Sequence, residues 1–170
     1  MQHVSLSKTL LVASALLISS AASAETYVGG ALGQSGADLP GYQDADSMKI
    51  FGGTRYGNMG IEATYIDFGQ FDINSNSHAD VTGIELSAVA YMPITNNFDL
   101  MGKVGLLAWN ADVTFSGSPV PSEDDVDLAL GIGAQYKVTD NIAVRAEYQL
   151  FSDVNGSDVD MFSAGVSLHF

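Results

Sequence analysis

Leu128-Ala129-Leu130-Gly131-Ile132-Gly133-Ala134-Gln135-Tyr136-Lys137-Val138 is the stretch that decides the fold. Leu128, Leu130, Ile132, Ala134, Tyr136 and Val138 share one face, and Ala129, Gly131, Gly133, Gln135 and Lys137 share the other. A repeat of two belongs to a strand, whose successive side chains point to opposite faces; a helix needs apolar residues three and four apart. The same scheme returns downstream. Ile142, Val144, Ala146, Tyr148 and Leu150 alternate with Arg145, Glu147 and Gln149, and Phe162, Ala164, Val166, Leu168 and Phe170 with Ser163, Gly165, Ser167 and His169. Upstream, Ile84, Leu86, Ala88, Ala90 and Met92 alternate with Glu85, Ser87, Val89 and Tyr91. Phe98, Leu100, Val104, Leu106 and Ala108 alternate with Asp99, Met101, Lys103, Leu107 and Trp109. Weaker versions cover residues 26–34, 49–56 and 60–67, so eight strands are predicted.

Connection lengths order these strands. Short turns rich in turn-forming residues stand at Tyr56-Gly57-Asn58-Met59, Pro93-Ile94-Thr95-Asn96-Asn97 and Thr139-Asp140-Asn141. Long polar connections are predicted over residues 35–46, 68–80, 112–127 and 152–160. Short turns at one end and long loops at the other describe an antiparallel up-and-down meander with both termini on the short-turn side.

Composition narrows the class. The chain has 170 residues, 46% hydrophobic and only 15% charged, with 20 acidic against 6 basic side chains, 18 glycines and no cysteine. Disulfides, thiolate chemistry and cysteine-ligated zinc are excluded. A formal charge of −14 argues against nucleic acid as a partner. Outside the extreme N-terminus no apolar run is long enough for a membrane helix. At that terminus Lys8 precedes an apolar run over residues 10–18 and then Ala22-Ser23-Ala24. This is the pattern of a secretory signal peptide over residues 1–24, with cleavage expected after Ala24. Residues 25–170 would then form one exported domain with 5 basic and 20 acidic side chains, a net of −15. The absence of cysteine rules out a lipoprotein anchor.

The placement of charge tells which face meets what. A soluble eight-stranded barrel keeps its apolar face inside, whereas a membrane barrel turns it to lipid around a polar lumen. All five basic residues after the signal (Lys49, Arg55, Lys103, Lys137, Arg145) fall on the minority polar face, as do Glu62, Glu85, Asp99 and Glu147. The opposite face is almost uncharged over about ten residues per strand, the height of a hydrocarbon slab. Tyr56, Phe98, Tyr136 and Phe170 near the short turns, with Tyr65, Tyr148 and Phe162 nearer the loops, fit two interfacial girdles. The terminal Phe170 ends an alternating strand, as outer-membrane assembly signals do. An all-β, eight-stranded transmembrane barrel is expected in the outer membrane, with periplasmic termini and extracellular long loops.

The stretches Tyr91-Met92-Pro93-Ile94-Thr95-Asn96-Asn97-Phe98-Asp99-Leu100 and Gly131-Ile132-Gly133-Ala134-Gln135-Tyr136-Lys137-Val138-Thr139-Asp140-Asn141-Ile142-Ala143-Val144-Arg145-Ala146-Glu147-Tyr148-Gln149 resemble the transmembrane domain of OmpA-type proteins. The resemblance runs from Tyr27-Val28-Gly29-Gly30-Ala31-Leu32-Gly33 to Phe170 and is most specific in the last five strands. It implies an outer-membrane barrel with a luminal ion-pair network to which Glu62 and Arg145 belong. Gln135 stands where the family often has an acid and Val89 where it often has a lysine, two departures from the salt-bridge switch proposed for the family's channel activity. The chain stops at Phe170, short of the peptidoglycan-binding domain that follows the barrel in full OmpA proteins, so wall anchoring is not expected.

Candidate chemistry is sparse. Ser167 and His169 share one face two residues apart, superficially like the serine–histidine pair of outer-membrane lipid A deacylases. Catalysis would further require hydrogen-bond contact, an orienting acid and substrate access. On the luminal face at the periplasmic end, a lining role is expected, and no enzyme. The acidic run Glu123-Asp124-Asp125-Val126-Asp127 lacks the ligand spacing of a calcium loop and reads as a solvated loop. Gly29-Gly30 and Gly131-Ile132-Gly133 precede no helix and read as strand glycines rather than phosphate loops. No cofactor or metal is expected.

Eight strands enclose little more than their own side chains. Inward Tyr27, Phe51, Met101, Leu107 and Trp109, with an ion-pair network of Glu62, Glu85, Lys103, Arg145 and Glu147, should fill the lumen. A structural, envelope-integrity role is therefore expected. A loop-borne adhesin or resistance factor and a narrow, low-conductance channel are the alternatives, a lipid A-modifying enzyme a more distant one. The expected partners are outer-membrane lipid and lipopolysaccharide, bridged to the acidic loops by divalent cations, and the barrel-assembly machinery through the terminal strand. The barrel is expected to be monomeric.

Overall fold

A computed structural model describes residues 24–37, 45–74, 77–115, 118–119, 123–154 and 157–170. Side chains are described over these segments except at residues 37, 70–79, 111–124 and 153–157. Residues 1–23, which carry the expected export signal, lie outside this set, as do the side chains of His78, Glu123 and Asp124.

Alternating residues dictate eight long strands: β1 (Ala24–Ala37), β2 (Ala45–Tyr56), β3 (Met59–Asn74), β4 (Ser77–Pro93), β5 (Phe98–Phe115), β6 (Glu123–Lys137), β7 (Ile142–Val154) and β8 (Ser157–His169). A two-residue segment, Ser118–Pro119, pairs back onto the end of β5. Each long strand runs antiparallel to the next, and β1 also pairs with β8 from Tyr27↔His169 to Ala37↔Val159. That last ladder closes the sheet, so none of the eight strands is left as an edge that could pair with another chain.

Parity then sorts the side chains. Leu32, Ile50, Ile61, Leu86, Leu106, Ile132, Val138 and Phe162 all point outward, with Leu32 71% and Ile132 67% exposed. Lys49, Glu62, Glu85, Lys103, Arg145 and Glu147 are buried. A soluble protein would invert this arrangement, because apolar surface left in water costs roughly 25 cal/mol per Å². Only a hydrocarbon surround makes the outer wall favourable.

The connections differ from the sequence expectation. Residues 68–80, 112–127 and 152–160 are largely strand rather than loop. β3 and β4 stay paired out to Asn74↔Ser77, β5 and β6 to Ala111↔Glu123, and β7 and β8 to Val154↔Ser157. Outside the bilayer both faces of a hairpin are wet, so apolar alternation disappears although the backbone ladder continues. The β3–β4 hairpin bends at a register shift after Asp67, where Gly69 takes a φ of 82° and its N–H donates to Asp67 Oδ1 at 2.9 Å.

The short turns are built alike. Asn58, Asn97 and Asn141 each offer a backbone carbonyl to the amide of a strand two further along the barrel, at Tyr91, Lys137 and His169, all at 2.8 Å. Thr95 Oγ1 accepts from the amides of Asn97 and Phe98, and Thr139 Oγ1 from those of Asn141 and Ile142. The Thr-x-Asn spelling of both turns thus caps one hairpin and ties it to the next.

Candidate functional site: the barrel lumen

Three layers of side chains line the interior. At the loop end lies an apolar cluster of Ala45, Ile66, Phe68, Val81, Leu107, Trp109, Ala129, Phe151, Val159 and Met161. Phe68 and Phe151 meet edge to face with centroids 5.0 Å apart, and Trp109 Nε1 donates to Asp127 Oδ2 at 2.5 Å. The sequence reading placed Leu107 and Trp109 inside but ended the third strand before Phe68. Parity counted onward from Glu62 through Thr64 and Ile66 reaches Phe68, and that was the available signal.

The middle layer is ionic. Arg145 Nη1 donates to Glu62 Oε2 at 2.5 Å and to Glu147 Oε1 at 3.4 Å. Lys103 Nζ donates to Glu62 Oε1 at 2.7 Å and lies 3.5 Å from Glu85 Oε1 and 3.9 Å from Glu147 Oε1. The five residues singled out from sequence thus stand together. Lys49 joins them, pairing with Glu147 and donating to Gln149 Oε1 at 2.8 Å, while Gln149 Nε2 donates to Glu85 Oε2 at 2.9 Å. Lys49 was assigned the correct face, but nothing local couples it to a residue 98 positions away. Tyr27 donates its hydroxyl to Glu62 Oε2 at 2.8 Å, and the Arg145 guanidinium stacks over the rings of Phe51 (4.4 Å) and Tyr27 (5.1 Å). Gln135 Oε1 accepts from Arg145 Nη2 at 3.2 Å, and Val89 lies opposite Lys103 in the ladder. At the two positions where the chain departs from the OmpA-type pattern, a neutral side chain therefore adjoins a cation.

Glycines make room for this packing. A Cβ on Gly29 would stand 2.5 Å from the Phe51 ring, and one on Gly53 would stand 2.7 Å from the Tyr27 hydroxyl. The Phe51 and Tyr27 rings thus occupy space that a side chain at Gly29 or Gly53 would claim.

At the turn end, Arg55 Nη1 donates to Asp99 Oδ2 at 2.7 Å, and its guanidinium covers Tyr91 at 4.2 Å. Tyr91 packs with Val89 and Met101. Beside them Lys137 Nζ donates to Glu25 Oε1 at 2.9 Å, and the same oxygen lies 2.9 Å from His169 Nδ1. All five cations of residues 25–170 therefore line the lumen or its mouth, each with at least one of Glu25, Glu62, Glu85, Asp99 and Glu147 as a partner. Phe170 points outward, and its amide donates to Thr26 O at 2.8 Å, extending the closing seam to the last residue.

A closed eight-stranded barrel with an apolar outer wall and a charged interior defines an outer-membrane β-barrel protein. The comparisons agree. The chain belongs to the outer membrane protein beta-barrel domain family, whose model matches residues 9–170. It is similar to outer membrane protein A of Yersinia pseudotuberculosis serotype I, 29% identical over 170 residues that cover 85% of this chain and 48% of that protein. Outer membrane protein A of Salmonella typhi is 27% identical over 148 residues, covering 78% of this chain and 42% of the relative. The chain thus spans less than half the length of these curated relatives. Among solved structures, Neisserial surface protein A superposes with a TM-score of 0.70 at 20% identity, covering 86% of this chain and 97% of that one. The N-terminal β-barrel domain of Pseudomonas aeruginosa OprF gives 0.61 at 17% identity, covering 85% and 97%. Yersinia pestis Ail, in complex with the heparin analogue sucrose octasulfate, gives 0.61 at 18% identity, covering 86% and 97%. At these identities the structural likeness concerns the fold.

Proposed function

We propose that this protein is a structural barrel that supports envelope integrity, with a sealed lumen and acidic hairpin tips facing the cell exterior. The observation that carries this reading is the lumen itself, where an apolar layer and a mutually paired ionic layer occupy successive levels. An open pore would instead present a water-filled, polar passage. In this reading residues 1–24 are removed on export, the barrel is monomeric, and the assembly machinery engages the strand ending at Phe170. The short turns, with the N- and C-terminal ends of the barrel, face the periplasm. An epitope inserted between Gly57 and Asn58 should then be inaccessible on intact cells, whereas one within residues 38–44 should be labelled from outside. The reverse pattern refutes the orientation.

A second reading gives the hairpin tips a ligand. Of the 20 acidic residues, 14 fall within or beside the four loop-end connections, which contain no lysine or arginine. Such a surface repels polyanions. A sulfated ligand of the kind bound to Ail is therefore disfavoured here, and contact with lipopolysaccharide would require bridging divalent cations. Insertion into lipopolysaccharide bilayers should weaken when magnesium is chelated; stability unaffected by chelator removes the bridging role.

A further inference from the structure

At the turn-end mouth a serine, a histidine and a carboxylate stand in line. Ser167 Oγ lies 2.9 Å from His169 Nε2, and His169 Nδ1 lies 2.9 Å from Glu25 Oε1. Ser167 and His169 are alternate luminal residues of β8, while Glu25 comes from β1 and is brought alongside by the closing ladder. Hydrogen-bond chemistry then sets the tautomer. An ionised carboxylate only accepts, so Nδ1 carries the proton; in the neutral imidazole Nε2 is left as an acceptor, and the Ser167 hydroxyl donates to it. This is the arrangement in which a histidine serves as general base to a serine.

The imidazole is also held in place. The Tyr27 ring stacks on it with centroids 5.4 Å apart, Asn141 Nδ2 donates to the His169 carbonyl at 2.9 Å, and Lys137 Nζ donates to the Glu25 oxygen that faces the imidazole. From the sequence, Ser167 and His169 were expected only to line the lumen, because they fall on its inner face at the periplasmic end; hydrogen-bond contact and an orienting acid were the further requirements. The structure supplies both.

We propose that Ser167, His169 and Glu25 form an acyl-accepting site for small activated esters that enter through the turn-end mouth. Ser167 Oγ attacks the carbonyl carbon, and the new Oγ–C bond forms as the ester C–O bond breaks. The serine proton passes to His169 Nε2 and from there to the departing alcohol. Water then attacks the acyl-serine as His169 Nε2 takes its proton, and the C–Oγ bond breaks as that proton passes to Ser167 Oγ, releasing the carboxylic acid. Glu25 is a positioning residue, acting through the imidazole.

The surroundings limit the substrate. Ser167 is only 1% exposed, so the donor must be small; the wetter edge of the mouth is at Glu25 and Lys137, whose side chains are 29% and 26% exposed. Ser167 sits within the ladder, opposite Gly29 and Ala143, rather than at a helix N-terminus with amides aimed at a developing oxyanion. Such a donor is worth about 10²–10³ in rate. The site therefore suits esters with good leaving groups, not amides.

The test uses the folded barrel of residues 25–170 in detergent micelles, with p-nitrophenyl acetate and diisopropyl fluorophosphate as probes. The second reagent reports on the same hydroxyl, because an Oγ–P bond forms as the P–F bond breaks and fluoride departs. The expected result is one diisopropylphosphoryl group, located on Ser167 by peptide mass spectrometry, together with release of p-nitrophenol. Ser167→Ala should abolish both. His169→Gln should slow labelling about 100-fold. Glu25→Gln should slow it at least about tenfold, with Glu25→Asp recovering most of the rate. Each variant is compared as the folded, heat-modifiable species, so loss of folding is scored separately. A folded wild type without an adduct on Ser167, adducts spread over other serines, or labelling unchanged in His169→Gln would each overturn the proposal.

Discussion

Arg145 illustrates how much rests on one side chain. Its guanidinium touches Glu62, Glu147 and Gln135 and covers two aromatic rings. Replacing it with methionine keeps much of the volume but leaves two buried carboxylates short of a partner. Breaking a buried ion pair from one side costs about 3–5 kcal/mol. Lys103 still reaches Glu62, so Arg145→Met should destabilise by about 3 kcal/mol in urea unfolding measured in lipid vesicles. Adding Glu62→Gln to Arg145→Met should recover part of that loss, because the second substitution removes one of the orphaned charges. A double variant worse than the sum of the singles would contradict the pairing described. The face of each such residue was legible from parity alone. Its partners were not, since Arg145 and Glu62 lie 83 positions apart and only barrel closure brings them together.

The element that matters most is the β1–β8 seam. Across it, a Cβ on Gly165 would stand 2.1 Å from Gly30 O and 2.5 Å from Ala31 Cβ, and backbone cannot yield to that contact. Gly165→Val should prevent closure, and the variant should lack the fast-migrating folded band on unheated gels. Asn141→Ala removes only the side-chain bond to His169 O and keeps the backbone bond, so a loss of about 1 kcal/mol is expected in the same unfolding assay. The strands spanning the bilayer were readable because lipid on one side and a packed lumen on the other impose strict alternation. Beyond the bilayer that contrast vanishes, and the hairpin extensions around Asp72, Val113 and Val154 carry the composition of loops while holding the ladder of strands. Composition reports on solvent, whereas pairing is decided by the neighbouring backbone.

For the whole molecule, the layered lumen sets what passes through. An ion entering from the loop end passes the acidic tips and meets Phe68, Phe151, Leu107 and Trp109 before it reaches the ionic layer. Wild-type protein in planar bilayers should therefore give little current, and a large steady conductance would contradict the proposed seal. Phe68→Ala with Phe151→Ala should open the apolar layer yet leave the ionic layer in the way, so current should stay small until Arg145 or Glu62 is also replaced. A seal of the kind proposed, distributed over two layers, should survive loss of either one.

The pairing of every cation inside the barrel has a consequence for proteolysis. A trypsin-class protease cuts only after lysine or arginine, and beyond residue 24 each of those residues sits in the barrel wall with its side chain in the lumen or at its mouth. The hairpin tips contain no lysine or arginine and so offer such an enzyme nothing to recognise. The folded domain should come through prolonged trypsin treatment with its mass unchanged, while an aspartate-directed protease trims the tips and the heat-unfolded chain is cut at all five positions.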